Sequence, residues 1–289
     1  MSVNSMSHLL LRISQYLMGV SVLFSPITLA GDGKIVATAG LTQVEGSGGG
    51  GLVPWATLSG YDTRDQISVG AFNTQVNVDD YRLQSWGVNA SFYDRIDVSV
   101  AQQTFDLPTL GGDIRQNIIG IKTRLYGDVV YSQWPQVSLG VQYKTLLDEG
   151  VAKAVLADKS SRGTDIYLAM TKVHLGLICG YNFVWNLNFR ATQANQMGLL
   201  GFGGDNNKNY ELMTEASAGI LLNEHVAVGL EYRQKPDNLS LAKEDDWKDA
   251  FITYIPNKNM SLTLAWAELG TIAGEADQNG WYFSLNASL

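Results

Sequence analysis

The sequence predicts an all-β fold, an antiparallel transmembrane β-barrel of about fourteen strands, with twelve as the alternative count. Three observations carry this. Apolar and polar residues alternate with a period of two along most of the chain, and no run of eighteen uncharged apolar residues follows the first thirty positions. Charge is also scarce, at 17% of 289 residues against roughly 25% in an ordinary soluble domain, while 7 Trp and 13 Tyr are present.

Composition narrows the function classes before any motif is considered. Cys179 is the only cysteine, so an internal disulfide is excluded, and the net charge of −8 argues against a nucleic-acid partner. His8, His174 and His225 have no cysteine cluster around them, so neither a structural zinc site nor another metal or cofactor is expected.

Residues 1–30 carry Arg12 and no acidic residue, pass through an apolar segment from Leu17 to Phe24, and finish at Ala30. That pattern reads as a cleavable export signal, leaving 31–289 as one barrel domain. A buried N-terminal helix is the competing reading, but the segment lacks an amphipathic period.

From there the strands are expected at 35–44, 52–61, 66–77, 84–92, 96–105, 117–126, 136–146, 163–174, 180–191, 210–220, 226–235, 248–255, 260–268 and 280–289. The alternation is plain in Met260, Leu262, Leu264 and Trp266 against Ser261, Thr263, Ala265 and Ala267, and again in Tyr181, Phe183, Trp185, Leu187 and Phe189. Tight turns at 62–65, 93–97, 222–225 and 256–259 alternate with longer connections at 45–51, 78–83, 106–116, 147–162, 193–209, 236–247 and 270–279. Short periplasmic turns and longer extracellular loops are the asymmetry of an outer-membrane barrel. A soluble β-sandwich explains the alternation too, but not the wealth of Gly, Ser, Asn and Gln on the polar face.

A Lys or Arg facing lipid at mid-bilayer costs about 2–4 kcal/mol, so charged strand positions should point inward. The expected lumen set is Asp97, Lys122, Arg124, Lys144, Arg190, Glu211, Glu215, Glu231 and Arg233. Trp55, Trp86, Trp185, Trp266 and Trp281 are expected near strand ends or on outward faces as an interfacial girdle.

Three long segments resemble a bacterial family known as domain of unknown function family 3034. They are Gly49-Gly50-Gly51-Leu52-Val53-Pro54-Trp55 with Gly60 to Gln66, then Ala191 to Asp205, then Glu231 to Leu239. The resemblance covers essentially the whole mature chain and implies an outer-membrane location. It brings no activity and no assigned residues. The terminal Leu289 departs from the aromatic that usually ends such barrels.

The remaining motifs have bland readings beside them. Gly46, Gly48 and Gly51 match G-x-G-x-x-G, but a strand rather than a helix is expected next, so they are read as a flexible turn and not as a phosphate cradle. Leu199, Leu200 and Phe202 lie among glycines in an otherwise polar connection, which marks either an inward-folded constriction loop or a loop packed on the rim. Asp237, Glu244, Asp245 and Asp246 offer oxygen ligands but lack EF-hand spacing, so a solvated acidic loop is the simpler reading. No serine or histidine stands in the context of a hydrolase nucleophile, so no catalytic residue and no enzymatic activity are expected. The expected function is a monomeric outer-membrane pore, in contact with lipid, that passes small polar solutes through a mixed-charge lumen; a plugged structural or surface-recognition barrel is the alternative.

Overall fold

The computed structural model describes residues 33–108 and 111–289, so the export signal expected at 1–30 lies outside the described residues. Twelve strands form the wall: β1 (Ile67–Val78), β2 (Arg82–Phe92), β3 (Ile96–Asp106), β4 (Asp113–Tyr126), β5 (Gln136–Leu146), β6 (Arg162–Ile178), β7 (Tyr181–Thr192), β8 (Glu211–Leu221), β9 (Val226–Arg233), β10 (Trp247–Asn257), β11 (Met260–Glu268) and β12 (Asn279–Ser288). Each pairs with its sequence neighbours, and β1 closes antiparallel onto β12 from Gly70↔Ser288 to Val78↔Gly280. Val69 and Leu289 then exchange backbone hydrogen bonds of 3.0 and 2.8 Å, which carries the seam to the last residue.

Twelve is the lower of the two expected counts. The difference is the pair of segments 35–44 and 52–61, expected as the first two strands, which form no wall strand and from Ala39 onward run inside the barrel. Pro54 explains part of this, since a proline lacks the N–H that a ladder needs and a closed barrel has no edge to hold one; Pro256 sits in β10 only at its end, where the register with β11 shifts.

Connections of unequal length separate the two ends. One end carries the C-terminus and the short turns at 93–95, 179–180, 222–225 and 258–259, with the longer connection 127–135 among them. At the other end lie 107–112, 147–161 with its short helix α1 (Gly150–Ala154), 193–210, 234–246 and 269–278. Only 79–81 is short there, where a longer connection over 78–83 is the sequence expectation.

Polarity runs inside out. Ser85, Gln103, Gln116, Ser138, Thr171 and Asn188 are fully buried, whereas Val69, Val88, Val100, Ile119, Leu230 and Ile252 on the alternate face are exposed. A water-soluble fold reverses this arrangement, because burial of apolar surface is its main driving force. An exposed apolar wall around a polar interior is what hydrocarbon solvent selects. Aromatics mark both rims, with Tyr126, Tyr131, Trp134 and Tyr181 exposed at the short-turn end and Trp266 and Trp281 at the other, while Trp86 is exposed nearer mid-strand, opposite Asn73. Trp266 and Trp281 meet edge to face at 5.1 Å. Trp55 is the exception to the expected girdle, for it belongs to the interior segment.

Ile119, 55% exposed and midway along β4, tests the lipid-facing assignment. Ile119→Arg should lose about 2–4 kcal/mol of folding free energy in a bilayer, read by urea titration of refolded protein. A loss under about 0.5 kcal/mol, usual for exposed positions in water, would place that face in solvent.

Candidate functional site

The lumen is occupied by the chain's own residues 39–62, here called the hatch, of which all but Gly50, Leu41 and Trp55 are fully buried. Its sequence suits a knot rather than a strand. Gln43 N donates to Ser47 O at 2.8 Å, Val44 N donates to Gly51 O at 2.9 Å, and isolated bridges join Thr42 to Gly48 and Gly49 to Pro54. A Cβ on Gly48 would stand 2.7 Å from Ser59 N, and one on Gly49 would stand 2.6 Å from Val53 O. The Gly46, Gly48 and Gly51 pattern, expected as a flexible turn between strands, is therefore a tight crossing of the hatch over itself.

Inward polar side chains of the wall hold the hatch by its backbone. Lys122 Nζ donates to three hatch carbonyls, of Gly48 at 2.7 Å, Trp55 at 3.1 Å and Thr57 at 2.5 Å, and lies 3.8 Å from the Asp97 carboxylate. Asp97 accepts from Ser59 Oγ at 2.5 Å. Ser85 and Gln103 both donate to Val44 O, while Gln136 and Ser138 both donate to Ala56 O. Ala56 N in turn donates to Thr171 Oγ1 at 2.8 Å. A buried backbone group left unpaired costs about 1–3 kcal/mol, so these partners decide where an irregular segment can lie.

One hatch side chain reaches further. The Glu45 carboxylate pairs with Lys144, with Arg233 at 2.8 Å and with Arg190 at 3.7 Å, cations supplied by β5, β9 and β7. Lys144 and Arg190 also bind Asp165, at 2.7 and 3.2 Å, and Glu215 receives Arg190 at 2.7 Å and Arg233 at 3.3 Å. Three cations and three carboxylates thus form one closed lattice, none of them more than 4% exposed. Pairing of this completeness is what permits charges in a desolvated interior.

Of the residues expected in the lumen, Asp97, Lys122, Lys144, Arg190, Glu215, Glu231 and Arg233 lie buried on the inward face. Arg124 and Glu211 stand at opposite rims instead. Arg124 pairs with Asp94 and Asp128 beside the short turns, and Glu211 accepts from Asn207 at the long-loop end. Glu45, Asp165 and Asp249 are further buried charges of the lumen and are absent from the sequence expectation. Asp165 and Asp249 have the inward parity of Tyr167 and Thr253 on the same strands, which is a signal that would have found them.

Loop 193–204 folds into the long-loop mouth and covers the hatch. Leu199, Leu200 and Phe202 are at most 3% exposed, and Met197 O accepts from Lys144 Nζ at 3.0 Å and Gln116 Nε2 at 3.2 Å. Leu199 and Leu200 join Val44 and Leu52 of the hatch and Trp247 of β10 in one apolar cluster that caps the charged layer. Non-glycine residues Gln196 and Met197 hold positive φ values of 44° and 61° at the turn into the lumen.

Gln196 is latched from the neighbouring loop 234–246. Its backbone N donates to Glu244 Oε1 at 2.8 Å, Lys235 Nζ donates to its Oε1 at 2.8 Å, and its own Nε2 donates to Thr271 O at 3.1 Å. Lys235 and Glu244 are 3.3 Å apart with Lys235 above the Trp247 ring. Burial raises the Glu244 carboxyl to about 7 and lowers the Lys235 ammonium to about 8, each change opposed by the partner's charge. The other acids of this loop have separate partners: Asp245 accepts from Thr271 N, Asp246 from Tyr232 Oη, and Asp237 from Glu244 N. Among the described residues no three His, Cys, Asp or Glu side chains are grouped to hold a metal ion.

The two displaced pKa values fix the sign of a pH effect. Glu244 in the latch binds its proton more tightly than in the unfolded chain, so its contribution to stability is full below about 4.5 and is lost as pH rises through about 7. Lys235 contributes fully above about 10.5 and loses that as pH falls through about 8. The latch should be weakest between these values. Hydrogen-exchange protection factors of 234–246, which remove the intrinsic pH dependence of amide exchange, should rise on acidification from about pH 7 to about pH 5, and Glu244→Gln should abolish that rise; an equal rise in the variant would show that Glu244 is not the titrating group.

No curated protein matches the chain. Solved structures similar to it include the KdgM porin, at 8% identity and a TM-score of 0.46 over 77% of this chain and 99% of that one. The NanC porin aligns at 9% identity and a TM-score of 0.45 over 76% of this chain and 98% of that one. An outer membrane channel from Pseudomonas putida F1 aligns at 9% identity and a TM-score of 0.41, over 77% and 95% of the two chains. A family model matches residues 38–286, taking in both the hatch and the wall, and the chain belongs to that family, described as a protein of unknown function (DUF3034).

Proposed function

We propose that this protein is a hatch-gated outer-membrane barrel, a channel for small polar solutes that is shut while the hatch is seated and conducts when it is displaced. The observation that carries the reading is the seating of residues 39–62 across the lumen by the same inward charges that would otherwise line a pore. In the seated form Lys122, Lys144, Arg190 and Arg233 contact protein rather than solute. Once the hatch leaves, its partners face water, and an aqueous passage of mixed charge remains. The exposed apolar wall and the grouping of the short turns at one end support insertion with the long loops outward. No step of covalent chemistry is part of the reading.

A permanently shut barrel acting through its long loops is the second reading, favoured by the closed charge lattice around Glu45. Planar-bilayer recording separates the two. Wild-type protein should rest closed with brief openings, and deletion of 39–62 should give a continuously open pore. In a Cys179→Ser background, a disulfide between Ala56→Cys and Ser138→Cys, at a site where Ser138 Oγ donates to Ala56 O at 2.6 Å, should abolish the openings until it is reduced. Wild-type channels that never open would sink the gate and leave the shut barrel. A folded deletion mutant that stays closed would show that the hatch is not what occludes the lumen.

A further inference from the structure

The lumen's ion pairs close on themselves with two carboxylates left over. Lys144, Arg190 and Arg233 answer Glu45, Asp165 and Glu215, and Lys122 answers Asp97. Glu231 on β9 and Asp249 on β10 are directly paired across the strands, face inward, and are 3% and 5% exposed. Among the described residues neither forms an ion pair with a basic side chain.

Their surroundings differ. Glu231 accepts from Leu52 N at 2.6 Å, from Ser217 Oγ at 2.8 Å and from Trp55 Nε1 at 3.3 Å, donors that suit an ionised carboxylate. Asp249 has no well-formed hydrogen bond, with only the backbone N–H of Glu231 near its carboxyl. A buried carboxyl so poorly supplied with donors needs either a proton or a counter-charge, because burial of an uncompensated charge is among the costliest things a fold can do.

No hatch side chain at Gly51 stands against the two carboxylates. A Cβ placed on Gly51 would lie 3.4 Å from Asp249 Oδ2 and 3.5 Å from Glu231 Oε2, with Tyr282 Cζ at 3.2 Å. Glycine keeps that point free of side-chain atoms, so one oxygen of each carboxylate faces the bare hatch backbone at Gly51. We propose that Glu231 and Asp249 bind a hard divalent cation against Gly51. Two carboxylates match its charge, and their oxygens match its preference. Through Glu231 the cation would also bear on Leu52 and Trp55, so the hatch and the wall share it. The site stands whether or not the hatch ever moves.

Terbium tests it directly, since Trp55 beside Glu231 can sensitise a bound lanthanide. Full-length barrel in detergent free of lipopolysaccharide should show terbium luminescence on tryptophan excitation, displaced by calcium. Asp249→Asn, nearly isosteric, should weaken terbium at least about tenfold. Gly51→Ala, which fills the space and keeps both carboxylates, should do the same and carries the test if the first variant does not fold. Calcium should raise the temperature of heat-modifiable unfolding in the wild type and not in either variant. Absence of sensitised luminescence, or luminescence of equal affinity in both folded variants, would overturn the assignment; the conductance tests of the hatch would be untouched by that result.

Discussion

Everything inside this barrel depends on one constraint, that a charge held away from water needs a partner in place. Eight strands enclose a space that wall side chains can fill by themselves, and twelve enclose more than that. The excess is taken up by the hatch, and Glu45 makes it part of the wall's electrostatics. Without that carboxylate, Lys144, Arg190 and Arg233 would face only Asp165 and Glu215, leaving one buried cation unanswered on the inner surface of β5, β7 or β9. The wall strands thus carry charges that are compatible with burial only when a segment from outside the sheet is seated among them.

Much of the wall was legible because two rules act together along it. Side chains alternate faces, and charge on the lipid face is penalised, so Lys122 is enough to orient all of β4, and Arg190 all of β7. The hatch escaped the same reasoning for a physical reason. A segment inside a polar barrel is bathed in hydroxyls, amides and charges, so it needs the mixed composition of a strand with one polar face. What distinguishes the two is where the backbone hydrogen bonds go, to a ladder or to Ser85, Gln103, Lys122 and Ser138, and composition does not record that. Pro54 was the available clue, a residue with no donor inside the expected strand 52–61, whereas Pro256 stands only at the irregular end of β10.

The glycine run shows how a motif's context decides its meaning. Gly46, Gly48 and Gly51 have the spacing of a phosphate loop, and flexibility is the usual second guess. Their actual service is closeness, since the hatch crosses itself at Gly48 and Gly49 and packs on the carboxylates of β9 and β10 at Gly50 and Gly51. Glu45, set between the first two turns of this knot, could not be recognised as the centre of a lattice while its segment was taken for a connection between strands.

The lumen is layered, and the order of the layers bears on how the hatch is kept. Nearly all its bonds to the wall are polar, and each such bond is worth only about 0.5–1.5 kcal/mol once water can replace it. The same bonds are far stronger in a dry interior, where the alternative is an unsatisfied group. What keeps the middle dry at the long-loop end is the apolar layer of Leu199, Leu200, Val44, Leu52 and Trp247, and that layer hangs on a loop latched by Gln196 to Lys235 and Glu244. Cap and hatch therefore act in series. Water admitted past the cap weakens every contact below it at once, so the energetics of the hatch are set less by the number of its hydrogen bonds than by the loop that excludes solvent from them.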